Sequence, residues 1–154
     1  MARLSFLSTL PAMLLCAAAV ALPASAVADV PSTGPLTLRI AGLRSDKGQV
    51  GCMLFNAKAG FPSNPSAALQ LRWCPIAGSA STCTFGPVPA GAYAAACFHD
   101  ENGNGKLDTG AFGIPKEGTV ASNQAKGFMG PPAFKDAKFS FAGVASSLEL
   151  RMQY

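Results

Sequence analysis

The sequence predicts an all-β protein, an antiparallel β-sandwich of about seven strands (immunoglobulin-like or transthyretin-like) with one long ordered loop. Three observations carry this expectation. Short runs alternate apolar and polar residues with period two. Glycine and proline, 16 and 12 of the 154 residues, punctuate those runs at short intervals. Helical periodicity is almost absent.

Taken in order, Leu36-Thr37-Leu38-Arg39-Ile40 alternates strictly and forms the first strand. Gly48 to Asn56 alternates more loosely and forms the second, reached through Arg44-Ser45-Asp46-Lys47-Gly48, where Asp46 and Gly48 suit a tight reversal. Ala59 to Pro65 breaks the pattern, Pro65 to Leu69 fits one short helical turn, and a third strand follows over Leu69 to Cys74. Ser81 to Phe85 is the fourth, closed by a turn at Pro87-Val88-Pro89-Ala90-Gly91. The alanines of Ala92 to His99 favour helix on propensity alone. The run is nevertheless short, enters from a Pro-Gly turn and lacks capping residues, so a strand is expected. Ala137 to Phe141 and Ser147 to Met152 complete the set, the last with Leu148, Leu150 and Met152 on its core face. Between them lies Asp100 to Pro132, and loops of that length are uncommon unless they are functional.

Residues 1–28 have the pattern of a cleaved signal peptide, leaving 29–154 as a single domain. Arg3 opens a short basic start, an apolar run continues to Leu22, and Ala24-Ser25-Ala26 and Ala26-Val27-Ala28 suit signal peptidase. A signal anchor is the competing reading, but Ser8 and Pro11 interrupt the run, which falls short of the ~20 apolar residues of a span. Leu15 stands where a lipobox would place a small residue before Cys16. The expected location is therefore periplasmic or secreted, with no membrane span after cleavage. Without Arg3 the chain carries 11 basic and 8 acidic residues, a scattered net charge of +3 that excludes a nucleic-acid-tracking stripe.

Four cysteines remain after cleavage, and an even count in an exported domain favours disulfides, with three possible connectivities. No CxxC occurs, so a zinc ribbon is not supported. Cys74 and Cys83 flank the turn-rich Pro75 to Thr82 and can meet across a hairpin, which leaves Cys52 to pair with Cys97. Four buried free thiols are the alternative.

The stretch with the most chemistry is His99-Asp100-Glu101-Asn102-Gly103-Asn104-Gly105-Lys106-Leu107-Asp108. Oxygen-bearing side chains occupy the first, third, fifth and ninth places of a calcium-binding loop as Asp100, Asn102, Asn104 and Asp108. Gly105 stands at the sixth, where the turn needs no Cβ, and Lys106 offers its backbone carbonyl at the seventh. The metal expected is calcium. The departure from an EF-hand is Ala111 at the twelfth position instead of Glu, so Glu117 or a backbone carbonyl must complete the shell. The plainer alternative is a turn in which Asn102-Gly103 and Asn104-Gly105 supply left-handed residues. His99, the only histidine, suits either a general base or a structural role at a strand end. No second histidine supports zinc, and no Gly-x-Ser-x-Gly elbow supports a serine hydrolase. Phe112 and Ile114 fit either a binding lip or anchors that pin the loop; Phe128, Met129 and Phe134 allow the same pair of roles. Trp73, the only tryptophan, is a core candidate with a weak carbohydrate-stacking signal.

Gly91-Ala92-Tyr93-Ala94, the His99 to Asp108 stretch, Phe112-Gly113-Ile114-Pro115-Lys116-Glu117-Gly118, Ser122-Asn123 and Pro132-Ala133-Phe134-Lys135-Asp136-Ala137 together resemble the DUF2141 family of exported bacterial proteins. The resemblance runs from about Leu36 onward. It implies a small exported sandwich without an established activity and supplies no catalytic residues. It also marks the four cysteines as particular to this member, with a stabilising role. The function expected is a non-catalytic exported module whose calcium-ordered loop presents a surface to an envelope protein or a glycan. A hydrolase using His99 with Asp100 or Glu117, or a structural envelope protein, are the alternatives.

Overall fold

The computed structural model describes residues 32–154; the expected signal segment and its cleavage point lie outside the described residues. The strands are β1 (Thr33–Ala41), β2 (Gln49–Phe55), β3 (Gln70–Cys74), β4 (Ile76–Ala77), β5 (Ala80–Pro89), β6 (Gly91–Asp100), β7 (Thr119–Ala121), β8 (Phe139–Phe141) and β9 (Ser146–Arg151). One short helix, α1 (Phe134–Ala137), precedes β8. The strands build two sheets, ordered β4-β5-β1-β9 and β3-β2-β6-β7, with β8 also paired to β6.

The alternation of the sequence sets the packing of these sheets. Leu36, Leu38 and Ile40 of β1 and Cys83, Phe85 and Val88 of β5 point inward to meet Val50, Cys52 and Leu54 of β2 and Tyr93, Ala95 and Cys97 of β6. That shared core defines a two-sheet sandwich. The expected cysteine pairs are both present. Cys52 and Cys97 face each other across β2 and β6 with Cα atoms 4.1 Å apart, and Cys74 and Cys83 join β3 to β5 across 5.6 Å.

Three expectations are corrected. β9 runs parallel to β1, Leu36–Ala41 lying beside Ser146–Arg151; the chain reaches it from β8 in the opposite sheet, where no hairpin fixes the direction. Pro87-Val88-Pro89 is strand and not turn. β4 covers only Ala80 and Ser81, so both prolines face an unpaired edge where a missing N–H costs nothing, and a bulge opposite Pro35 keeps Val88 buried. The single long loop is in fact two, because Thr119–Ala121 pairs with Ala96–Phe98. Three residues are too few for alternation to register in the sequence.

β2 and β6 are buried on both faces. On the outer face Met53, Phe55, Ala96 and Phe98 pack against Phe61, Leu71, Leu107 and Phe134. This outer layer is incomplete, and both loops rise beside the part it leaves open.

Candidate functional site

β6 ends at the candidate loop, and strand geometry determines what its last residues can do. Successive side chains on a strand point to opposite faces, so His99 joins the inner face with Cys97 while Asp100 joins the outer face with Phe98. Both are fully buried. The His99 Nε2 lies 2.8 Å from the Lys47 carbonyl, which can only accept, so this nitrogen carries the proton. The Tyr154 hydroxyl then donates to Nδ1 at 2.7 Å and accepts from the Arg44 backbone N–H at 3.0 Å. Neither Asp100 nor Glu117 is hydrogen-bonded to the ring; its two nitrogens tie the β1–β2 turn and Tyr154 to the end of β6. The arrangement is that of a structural histidine.

Asp100 organises the loop. Its Oδ1 accepts from the Asn104 N–H at 3.0 Å and its Oδ2 from the Gly105 N–H at 2.9 Å and Gln49 Nε2 at 3.1 Å. Gly105 has φ +78°, the left-handed turn expected of the sixth position. The Asn102 and Asn104 amides each donate to Asp108, at 2.8 and 3.0 Å. Their own oxygens accept from the backbone N–H groups of Asn104 and Lys106, at 3.1 and 3.0 Å. Asn104 foremost, then Asn102, holds the Asp108 carboxyl below its ordinary value against the effect of burial, with Lys106 and Lys116 adding to the pull. Asp100, Asn102, Asn104 and Asp108 are thus gathered by the fold, while the Lys106 side chain stays in solvent.

This is an oxygen-only donor set with two carboxylates, suited to a hard divalent cation. Half-turns of the two amide groups would present oxygen where NH₂ now faces Asp108. Among the described residues no three His, Cys, Asp or Glu side chains gather around a metal position, so an ion here would lean on amide and carbonyl oxygens. Glu117 is nearly buried and spans the loop ends, Oε1 accepting from the Glu101 N–H and Oε2 from the Asp108 N–H, each at 2.9 Å. It is a brace. Ala111 lies in the 3-10 turn beyond and brings no carboxylate. The Glu101 side chain turns away to an ion pair with Arg44, whose guanidinium lies 4.5 Å over the Tyr154 ring.

Asp108 also begins a hairpin-like lip. The Lys116 N–H donates to the Asp108 carbonyl at 2.9 Å, the Gly110 N–H to the Ile114 carbonyl at 2.7 Å, and Thr109 bridges Pro115. The lip and the second loop, around Lys126 to Pro132, flank a groove of about 1480 Å³ on the outer face of the β3-β2-β6-β7 sheet. Met53, Leu71, Trp73 and Phe98 line its floor. Trp73, Gly51 and Phe98 stand in one row across β3, β2 and β6, and the two rings meet edge to face at 5.6 Å above Gly51. A Cβ on Gly51 would come within 2.7 Å of both rings.

The family model for an uncharacterized protein conserved in bacteria, DUF2141, matches residues 38–148. The chain belongs to the DUF2141 family. No curated protein and no solved structure matches it.

In this DUF2141 chain the residues singled out by sequence divide clearly. The loop residues come together; His99 separates from Asp100; Phe112, Ile114, Phe128 and Met129 are exposed and Trp73 partly so, while Phe134 packs against Phe61 at 5.7 Å. Sequence reasoning missed Gly51 and Tyr154. Gly51 matters only because Trp73 and Phe98 flank it across two strands, and Tyr154 only because the segment after β9 returns to His99, which no local pattern signals.

Proposed function

We propose that this DUF2141 protein is a non-catalytic periplasmic or secreted binding module in which calcium, held by Asp100, Asn102, Asn104, Asp108 and the Lys106 carbonyl, orders the lip beside the groove. The observation that carries the reading is the position of Asp108. It is the last side chain of the gathered oxygen set and the first residue of the hairpin-like lip, so neutralising the loop stiffens a groove wall. Two cysteine pairs, and a described chain with no helix long and apolar enough to cross a membrane, are compatible with an extracytoplasmic protein. The groove supplies the surface for a partner in the envelope.

Calorimetric titration of the exported protein tests the calcium half of the proposal. Affinity on the order of 10⁻⁴ to 10⁻³ M is expected, because the bidentate twelfth-position Glu is absent. Asp108→Asn, which keeps the side-chain shape and leaves the buried Asp100 network in place, should weaken binding at least tenfold. No calcium heat up to several millimolar, or equal heats for the two proteins, would mean that the loop is only a turn.

A further inference from the structure

The groove is more specific than a generic apolar surface. Across its floor the backbone groups of β2 and β6 are committed to their ladders, and those of β3 on the side of β2. Leu71 and Trp73 give the floor its open surface while Met53 and Phe98 are nearly buried, so the contact offered is hydrocarbon and aromatic with one indole N–H. A glycan or a peptide backbone laid on those four side chains would lose water and find one partner, the indole N–H, although the wider lining also holds Gln49, Ser63, Thr109, Thr119 and Gln153. A hydrocarbon chain loses nothing. Its charged lining residues are Lys106 on the first loop and Lys126 on the second, with no carboxylate among the lining residues. The size exceeds the roughly 300–1,000 Å³ of ordinary small-molecule sites, leaving room for a long chain.

The loops add an independent observation. Phe112 and Met129 line the groove at φ +59° and +53°, a conformation uncommon for bulky residues, and their side chains are 99% and 94% exposed. Two loops each hold an apolar residue in left-handed backbone with none of the described residues packed over it. Conformations of this kind cluster at ligand clamps and switch regions.

We propose that the groove binds an amphipathic anion, a hydrocarbon chain carrying one acidic head group, with the chain on the Met53-Leu71-Trp73-Phe98 floor under Phe112, Ile114 and Met129 and the head group at the basic rim of Lys106 and Lys126. The proposal deepens the binding-module reading and rests on it, but it does not require calcium. Free fatty acid and anionic phospholipid share this chemistry.

Trp73, the sole tryptophan, reports on the floor directly. The exported protein is titrated with dibromostearate below its critical micelle concentration, with quenching of Trp73 as the readout, in parallel with palmitate displacement. Saturable one-to-one quenching is expected, with affinity rising about two- to fourfold per methylene along a series from decanoate to palmitate. Lys106→Glu with Lys126→Glu should weaken palmitate about tenfold or more and leave hexadecanol unchanged. Phe112→Ser with Ile114→Ser, at exposed positions, should weaken both. Vesicles of phosphatidylglycerol, compared with monomeric lysophosphatidylglycerol and palmitate, separate the sources: extraction of monomers supports a lipid cargo, and preference for free palmitate supports a fatty acid. Absence of quenching, equal affinity for palmitate and hexadecanol, or binding to vesicles with none to monomers would overturn the proposal, the last marking a membrane-docking tip. Protection of Trp73 by soluble oligosaccharide alone would overturn it in favour of a glycan. Each titration is run in chelator and in millimolar calcium. Quenching without a calcium response retains the groove and rejects the loop; a calcium response without quenching does the reverse.

Discussion

Replacing Glu117 by Ala removes the brace that closes the Asp100–Asp108 loop. Its carboxylate accepts two backbone N–H groups, those of Glu101 and Asp108, both at 2.9 Å. Hydrogen bonds to a charged acceptor contribute about 1.5–3 kcal/mol each. Water reaches part of this loop once it opens, so the sum is discounted to a local loss of about 2–4 kcal/mol, or roughly 30- to 900-fold in the opening equilibrium. Both hydrogen bonds lie within the loop, so most of the loss should be local. Native-state hydrogen exchange is the assay: the Glu101 and Asp108 amides should lose protection by that factor while Leu38 and Cys52 amides change little. Glu117→Gln keeps one acceptor oxygen and should give an intermediate loss. Unchanged protection at Glu101 and Asp108 in Glu117→Ala, or equal loss in the core strands, would refute the brace.

Three further outcomes follow from the same contacts. Tyr154→Phe should cost about 1–3 kcal/mol in urea unfolding, because the buried His99 Nδ1 loses its donor. Burial, foremost, raises the Tyr154 hydroxyl above its ordinary value. Its contribution to stability is therefore complete below about pH 10 and lost as pH rises through the folded-state value, and the variant should lack that alkaline limb. Gly51→Ala places a Cβ 2.7 Å from the Trp73 and Phe98 rings and should destabilise by about 1–3 kcal/mol with a shift in Trp73 emission. Removing Cys74–Cys83 and Cys52–Cys97, which span 9 and 45 residues, should cost about 2.6 and 4 kcal/mol in the chain-entropy account, measured by urea unfolding of Cys→Ser pairs.

The strands most legible are those whose alternation was long enough to register, Leu36 to Ile40 and Ser147 to Met152; the run into Cys74 was placed only by following the short turn at Pro65 to Leu69. Ala92 to His99 shows turn context outweighing alanine propensity, since a strand buried on both faces between close neighbours favours small side chains. β4 and β7 were not legible because two or three residues carry no period, and Pro87 to Pro89 misled because proline marks a turn unless the strand has a free edge. The loop residues were found by spacing. The separation of His99 from Asp100 was implicit in the strand assignment, which sends neighbouring side chains to opposite faces. The groove was not legible: its floor joins residues from β2, β3 and β6, and only the sheet register brings Trp73, Gly51 and Phe98 into one row.

The central claim is that calcium at the Asp100–Asp108 loop orders the lip, and amide chemical shifts with hydrogen exchange on the labelled protein test it most directly. Adding calcium to several millimolar should shift the Asn104 and Gly105 amides, which donate to Asp100. It should also slow exchange at Gly110 and Lys116, whose N–H groups close the lip, while leaving β1 and β5 unchanged. Shifts scattered over surface carboxylates, or a shifted loop with Gly110 and Lys116 exchanging as before, would contradict the account.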